Sequence, residues 1–251
     1  MTPTPPPFIR VVDLETTGSR PPAHAVCEIG WQDVVQDPDG GWRIGGADGA
    51  RYVNPGRPIP AVTQAIHHII DADVADAPFW PDVAPGILRH NGAIAFAAHR
   101  ASFEQRYCTP ALTGGADWIC TWKCALRLWP GSPSFSNQVL RYWRRPAGLD
   151  RDRGLPVHRA FPDAYVTAHH LRDMLATASV AQLIAWSALP GLLPRVPAGP
   201  HRGTAWSALD AEVLRRFAAD RDEDVRYSAE TELARRDGAD VSPPPAQPLL
   251  I

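Results

Sequence analysis

The sequence predicts an α/β domain on a mixed sheet with a small helical extension at its C-terminal end. Three observations carry this: three strand-like segments joined by turns near the N-terminus, short apolar strands alternating with helical spacing after residue 60, and two amphipathic stretches beyond a proline-rich crossing. Of the 251 residues, 45% are hydrophobic and 21% charged, the balance of a globular chain with room for one well-packed core.

Residues 1–7 form a proline-rich leader and residues 238–251 a similar tail, both expected to be disordered. The first strand is "FIRVVDLETTG", a β-branched and aromatic run stopped by Thr16, Thr17 and Gly18. "AVCEIGWQDVV" reads as a second strand, "DPDGG" as a turn and "WRIGGADGARYVNP" as an interrupted third, giving an antiparallel meander. Helical spacing follows in 61–70 and 80–89. "AIAFAA" reads as a buried strand, with a helix opening near Ser102. "WICTW" is another short strand, and "KCALRLW" a helix closed by Pro130. The longest helix is expected from about Ala160 to Ala176. These elements place the main domain at 8–188, a linker or irregular crossing at 189–206 and a helical unit at 207–237.

Composition excludes several classes. No apolar run approaches a membrane span and no signal-peptide pattern opens the chain, so a cytoplasmic protein without a membrane partner is expected. Cys27, Cys108, Cys120 and Cys124 are too scattered for a disulfide frame or a zinc site and read as core thiols. A net charge of −2 gives no global attraction for a polyanion, so any nucleic-acid contact must rest on local patches.

Side chains alternate along a strand, so Asp13 and Glu15 leave the same face. Two neighbouring carboxylates repel, and a chain that holds them together supplies a cation or raises a pKa. Candidate partners are Glu104 in "AFAAHRASFEQRY" and His158 and Asp163 in "VHRAFPDAYVTAHHL". Five residues apart on one helix, His158 and Asp163 would point about 140° from each other. They share a site only if His158 precedes the helix, which Pro162 in a first turn allows.

"DLETTG", "AHRASFE" and "HRAFPDA" resemble, in order, the three motifs of the DEDDh 3′→5′ exonucleases, and the likeness covers most of residues 8–178. "QAIHHIIDADVADAPFWPDV" and "WICTWKCALRLWPG" also resemble one subgroup of that family, and the C-terminal unit its extension. The resemblance implies a ribonuclease-H-like fold with a five-stranded mixed sheet flanked by helices. It implies two Mg²⁺, replaceable by Mn²⁺, with Asp13 shared, Glu15 and Asp163 completing the first site, Glu104 serving the second and His158 as general base. Such hard cations take oxygen ligands, which suits carboxylates without cysteine. A histidine ordinarily changes charge near neutral pH, which suits proton abstraction from water.

The expected function is metal-dependent hydrolysis at DNA 3′ ends, single strands favoured, in repair or end processing, by a monomer or homodimer. An RNA-directed exonuclease on the same scaffold and a catalytically lapsed binding module are the alternatives. The second rests on two departures from the family pattern, Glu104 for aspartate and Arg100 for asparagine. Leu14, Thr16 and Thr17 are expected to hold the terminal sugar and His67 to pack on the terminal nucleotide. Phe103 would stack on a base, Arg100 would grip a phosphate or compete with metal, and Arg144 and Arg145, in the run 141–159, would track the strand. His169 and His170 are expected to be structural.

Overall fold

The computed structural model describes residues 6–89 and 92–239. Most of the expected leader and tail therefore lies outside the described residues. Five strands, β1 (Phe8–Thr16), β2 (Val26–Gln36), β3 (Trp42–Tyr52), β4 (Ala93–Ala98) and β5 (Trp118–Cys120), form one sheet in the order β3-β2-β1-β4-β5. The first three are antiparallel, whereas β4 and β5 run parallel to β1. The described helices are α1 (Ala61–His67), α2 (Asp71–Val74), α3 (Trp80–Leu88), α4 (Pro110–Thr113), α5 (Thr121–Leu128), α6 (Asn137–Arg144), α7 (Ala160–Leu175), α8 (Val180–Ala188), α9 (Ala211–Phe217) and α10 (Glu223–Arg236). Single 3₁₀ turns occur at Glu104–Arg106 and Trp206–Ala208.

Alternation along β1 divides the core. Ile9 and Val11, with Val34, Ala95, Ala97 and Ile119, face α7 and are covered by Ala164, Ala168, Leu171 and Met174. Val12 and Leu14 point the other way, into a second cluster with Ile29, Phe96, Tyr107 and Val83, Ile87 and Leu88 of α3. Asp13 and Glu15 continue the α7 side.

Small residues let α7 approach β2 closely. A Cβ on Gly30 would stand 2.2 Å from the Ala160 carbonyl carbon, so only glycine fits beneath the start of the helix. On the opposite face lies a buried ion pair in which the Arg10 guanidinium donates to both Asp33 oxygens, at 2.8 and 2.9 Å. Asp33 also accepts the Ala47 amide where the β2–β3 register shifts. The interruption expected in the third strand is this irregularity, with the carboxylate satisfying backbone that the ladder leaves unpaired.

The segment 189–206 is fastened to the helical unit along its length. The Leu193 amide donates to Ser228 Oγ at 2.8 Å, the Gly191 amide donates to Asp224, and Trp206 Nε1 donates to the Leu193 carbonyl at 2.6 Å. Val196 and Trp206 join Leu209, Val213, Leu214, Val225 and Ala229 in a separate small core. Among the described residues, no helix is long and apolar enough to cross a membrane.

Candidate active site

β1 delivers two carboxylates and α7 a third. Asp13 pairs across the ladder with Gly30 and Glu15 with Glu28, on the face that α7 covers. Because the helix starts directly over Gly30, Asp163 in its first turn lands on the same spot. One oxygen each from Asp13, Glu15 and Asp163 lies within 4.8 Å of the other two.

Asp163 is held by three donors. Its Oδ1 accepts Gln138 Nε2 at 2.7 Å and Asn137 Nδ2 at 3.3 Å, and its Oδ2 accepts the His158 amide at 2.7 Å. His158 precedes the helix, as expected from the five-residue spacing. Its φ of 58° is a left-handed conformation that turns the chain, and the residue is exposed. The helix start is pinned from below by Glu28, which accepts the Ala160 amide at 2.9 Å and both arms of the Arg159 fork at 3.0 and 2.6 Å. Sequence reasoning missed Glu28, Asn137 and Gln138. Only the strand register puts Glu28 opposite Glu15, and only the packing of α6 on α7 brings the amides to Asp163.

Glu104 sits in the 3₁₀ turn after β4, outside the 4.8 Å group. It is 3% exposed, and its Oε2 has no hydrogen-bond partner. Burial pushes its carboxyl up to about 8, with its own backbone amide opposing and Glu15 adding to the rise. Burial also lifts Glu15 to about 8, with Asp163 and Glu28 adding and Arg159 opposing. Asp13 rises well above the usual range through burial first, then through Asp163, Glu15 and Glu104. Three clustered carboxylates with a fourth nearby, whose buried oxygen is orphaned, are a donor set that fits hard divalent cations.

The remaining expected residues fall into distinct places. Leu14 is in the core beneath the site, and Thr16 and Thr17 stabilise the turn, Thr16 Oγ1 donating to the Gly18 carbonyl at 2.7 Å and Thr17 Oγ1 accepting the Ala25 amide at 3.0 Å. Phe103 is half-buried against Tyr107. His67 is 2% exposed, with Nδ1 accepting the Ile69 amide at 3.0 Å and Nε2 3.8 Å from the Cys27 thiol. These contacts tie the end of α1 to β2, while Val62 and Ile66 of α1 stay exposed.

The arginines of the run 141–159 divide into tied and exposed ones. Arg141 is buried and donates to the Gly154 and Arg151 carbonyls, and Arg153 pairs with Asp48 at 2.6 Å. Arg144 lies 4.3 Å over Trp129 and 3.7 Å from Asp173. Much of this charge closes the loop onto the domain, while Arg144 and Arg145 at the end of α6 stay exposed. Arg100 points to Trp122, its guanidinium 3.9 Å from the ring centre, so its charge is directed at the aromatic face. His169 and His170 are buried, their imidazoles pushed down to about 4 chiefly by burial, in keeping with a structural role.

The exonuclease family profile matches residues 11–171. Exodeoxyribonuclease 10 of Escherichia coli strain K12 is 37% identical over 208 residues, 80% of this chain and 84% of the relative. The structure of exonuclease X in complex with 5′ overhanging duplex DNA aligns with a TM-score of 0.58 at 34% identity, covering 71% of this chain and 99% of the other. Escherichia coli exonuclease I bound to a dT13 oligonucleotide shares the fold, with a TM-score of 0.53 at 13% identity over 68% of this chain and 41% of the other. A half-buried carboxylate cluster assembled by the first strand and the long helix accompanies a family profile that spans both, and the profile with the 37% identical relative places this chain in the exonuclease family: it is a 3′→5′ exonuclease.

Proposed function

We propose that this protein hydrolyses the terminal phosphodiester of DNA 3′ ends, single strands preferred, with two divalent cations, Mg²⁺ or Mn²⁺, held by Asp13, Glu15, Glu104 and Asp163. The observation that carries the reading is the meeting of Asp13, Glu15 and Asp163 oxygens within 4.8 Å beside a buried, unpartnered Glu104 oxygen. Bound cations would lower the pKa of the attacking water and neutralise charge on the leaving oxygen. Asp13 would be the shared ligand, with Glu15 and Asp163 on the first cation and Glu104 on the second. The amides of Asn137 and Gln138 and the His158 backbone fix Asp163 in one orientation, as groups around a metal ligand do. His158, exposed on the preceding turn, accepts the proton of the attacking water on its imidazole. The names of the relatives, an exodeoxyribonuclease and an exonuclease in complex with DNA, support DNA as substrate.

End-labelled single-stranded DNA, duplex DNA and RNA, digested with Mg²⁺, with Mn²⁺ and with EDTA, test this. Shortening from the 3′ end, lost in EDTA and in Asp13→Ala, is expected. Digestion by a clean Asp13→Ala preparation would sink the metal reading, and binding without shortening in either metal would make the protein a lapsed module.

A further inference from the structure

A groove of about 720 Å³ lies between the catalytic domain and the crossing 189–206, lined on one side by Arg100, Trp122 and Asn137 and on the other by Arg195 and Arg202. It is as large as ordinary ligand pockets, and among the described residues no aspartate or glutamate lines it. That is unusual in a chain whose net charge is −2, and it concentrates positive charge in one concavity. Arg100 and Arg202 have no carboxylate partner among the described residues, whereas most arginines of the run 141–159 are tied to carboxylates or carbonyls. Arg195 spends one nitrogen on the Gly203 carbonyl.

The groove borders the acidic site through one shared side chain. Asn137, on its wall, donates to the Asp163 carboxylate. Arg100 is held in a left-handed conformation, φ 68°, with its guanidinium 3.9 Å over Trp122, a flat cationic platform of the kind on which a base can stack. The far wall, Leu193–Arg202, lies beyond residues 11–171 matched by the family profile, so this feature belongs to the crossing 189–206.

We infer that this groove carries single-stranded nucleic acid leading away from the active site, the strand 5′ to the scissile phosphate, with Arg100, Arg195 and Arg202 on its phosphates and bases. The inference rests on the 3′-end reading above and assigns the crossing 189–206 a part in holding substrate. Guanidinium groups pair well with phosphate, and a groove without acids does not repel the backbone.

Binding of 5′-labelled oligothymidylates from two to about twelve nucleotides to the full chain, in EDTA across a salt series, tests this without cleavage. Arg195→Gln with Arg202→Gln, and separately Arg100→Asn, should weaken the longer oligomers about tenfold, leaving the dinucleotide unchanged. The plot of log affinity against log salt should flatten by roughly 0.7 per lost phosphate contact. Thermal melting of each variant checks the fold; Arg202 is exposed, so Arg202→Gln alone serves if the double variant melts early. Unchanged affinity and salt slope for the long oligomers would overturn the inference, as would an equal loss at every length. A wild-type protein that binds long oligomers through these arginines yet shortens no 3′ end would refute the exonuclease reading instead.

Discussion

Asp13, Glu104 and His158 show how far a single side chain decides chemistry here. Glutamate in place of aspartate at 104 moves the carboxylate by roughly 1.5 Å, about one carbon–carbon bond. The structure answers part of that concern: the 3₁₀ turn buries the side chain so that its free oxygen stays unpartnered beside Asp13 and Glu15. We expect an active enzyme whose second cation binds weakly, with stimulation by Mn²⁺, the tighter binder at sites with such geometry. Metal titrations of activity should show Glu104→Asp holding or raising the rate at low Mg²⁺, and Glu104→Ala losing it in both metals. A wild type inert in Mg²⁺ and Mn²⁺, restored only by Glu104→Asp with Arg100→Asn, would reverse this. His158→Ala should lower turnover about 10² to 10⁴-fold with little change in substrate affinity. High pH should relieve part of that loss, since hydroxide then replaces the missing base; a deficit constant with pH would make His158 a purely structural turn residue.

At the scale of elements, catalysis depends on how closely the start of α7 sits on β2. Gly30 permits the contact, and Glu28 ties the first amide of the helix and Arg159 to the sheet. Gly30→Ala would drive a methyl group into the backbone at Ala160–Phe161, and overpacking of this kind costs about 1–3 kcal/mol. The helix would lift, carrying Asp163 with it. Since a 1 Å misplacement can cost about 10²-fold in rate, activity should fall by far more than the folded fraction does. Denaturant unfolding run beside single-turnover cleavage checks this, and a stable variant with full activity would show that α7 has slack over the strand.

For the whole molecule, the acidic cluster sets a conflict between stability and function. Glu15 and Glu104 hold their protons to about 8, and Asp13 also rises, so the folded metal-free protein binds protons that the unfolded chain, with carboxyls near 4.5, has released. The stability these groups contribute is therefore fully present below about pH 4.5 and is lost as pH rises toward 8. The melting temperature in EDTA should fall across that window, by about 2–4 °C for each kcal/mol lost. Excess Mg²⁺ should remove most of the fall above neutrality, because bound cations replace the protons and stabilise the folded state by mass action. Scanning calorimetry at several pH values with and without Mg²⁺ measures both, and parallel curves would mean that the cluster does not bind the metal.

The sequence by itself determined the strands and the long helix, because the β-branched run of β1 and the proline in the first turn of α7 are local signals. It also determined that Asp13 and Glu15 share a face, since strand alternation needs no partner, and that His158 must stand before the helix if it is to join Asp163. Tertiary structure decided what those residues meet. The register that sets Glu28 against Glu15, the contact of Gly30 with the backbone of Ala160 and the Gln138 amide that holds Asp163 link positions 13, 130 and 25 apart, and no local pattern encodes such distances. Tertiary structure also turned the arginines. In sequence the run 141–159 looks free to bind phosphate, yet carbonyls and carboxylates reached only after folding claim most of its charge. Arg100, Arg195 and Arg202, scattered along the chain, come together because the segment 189–206 folds back on the catalytic domain. Hydrogen bonding and burial are settled by the neighbours that the chain brings together, and for these side chains the neighbours are remote in sequence.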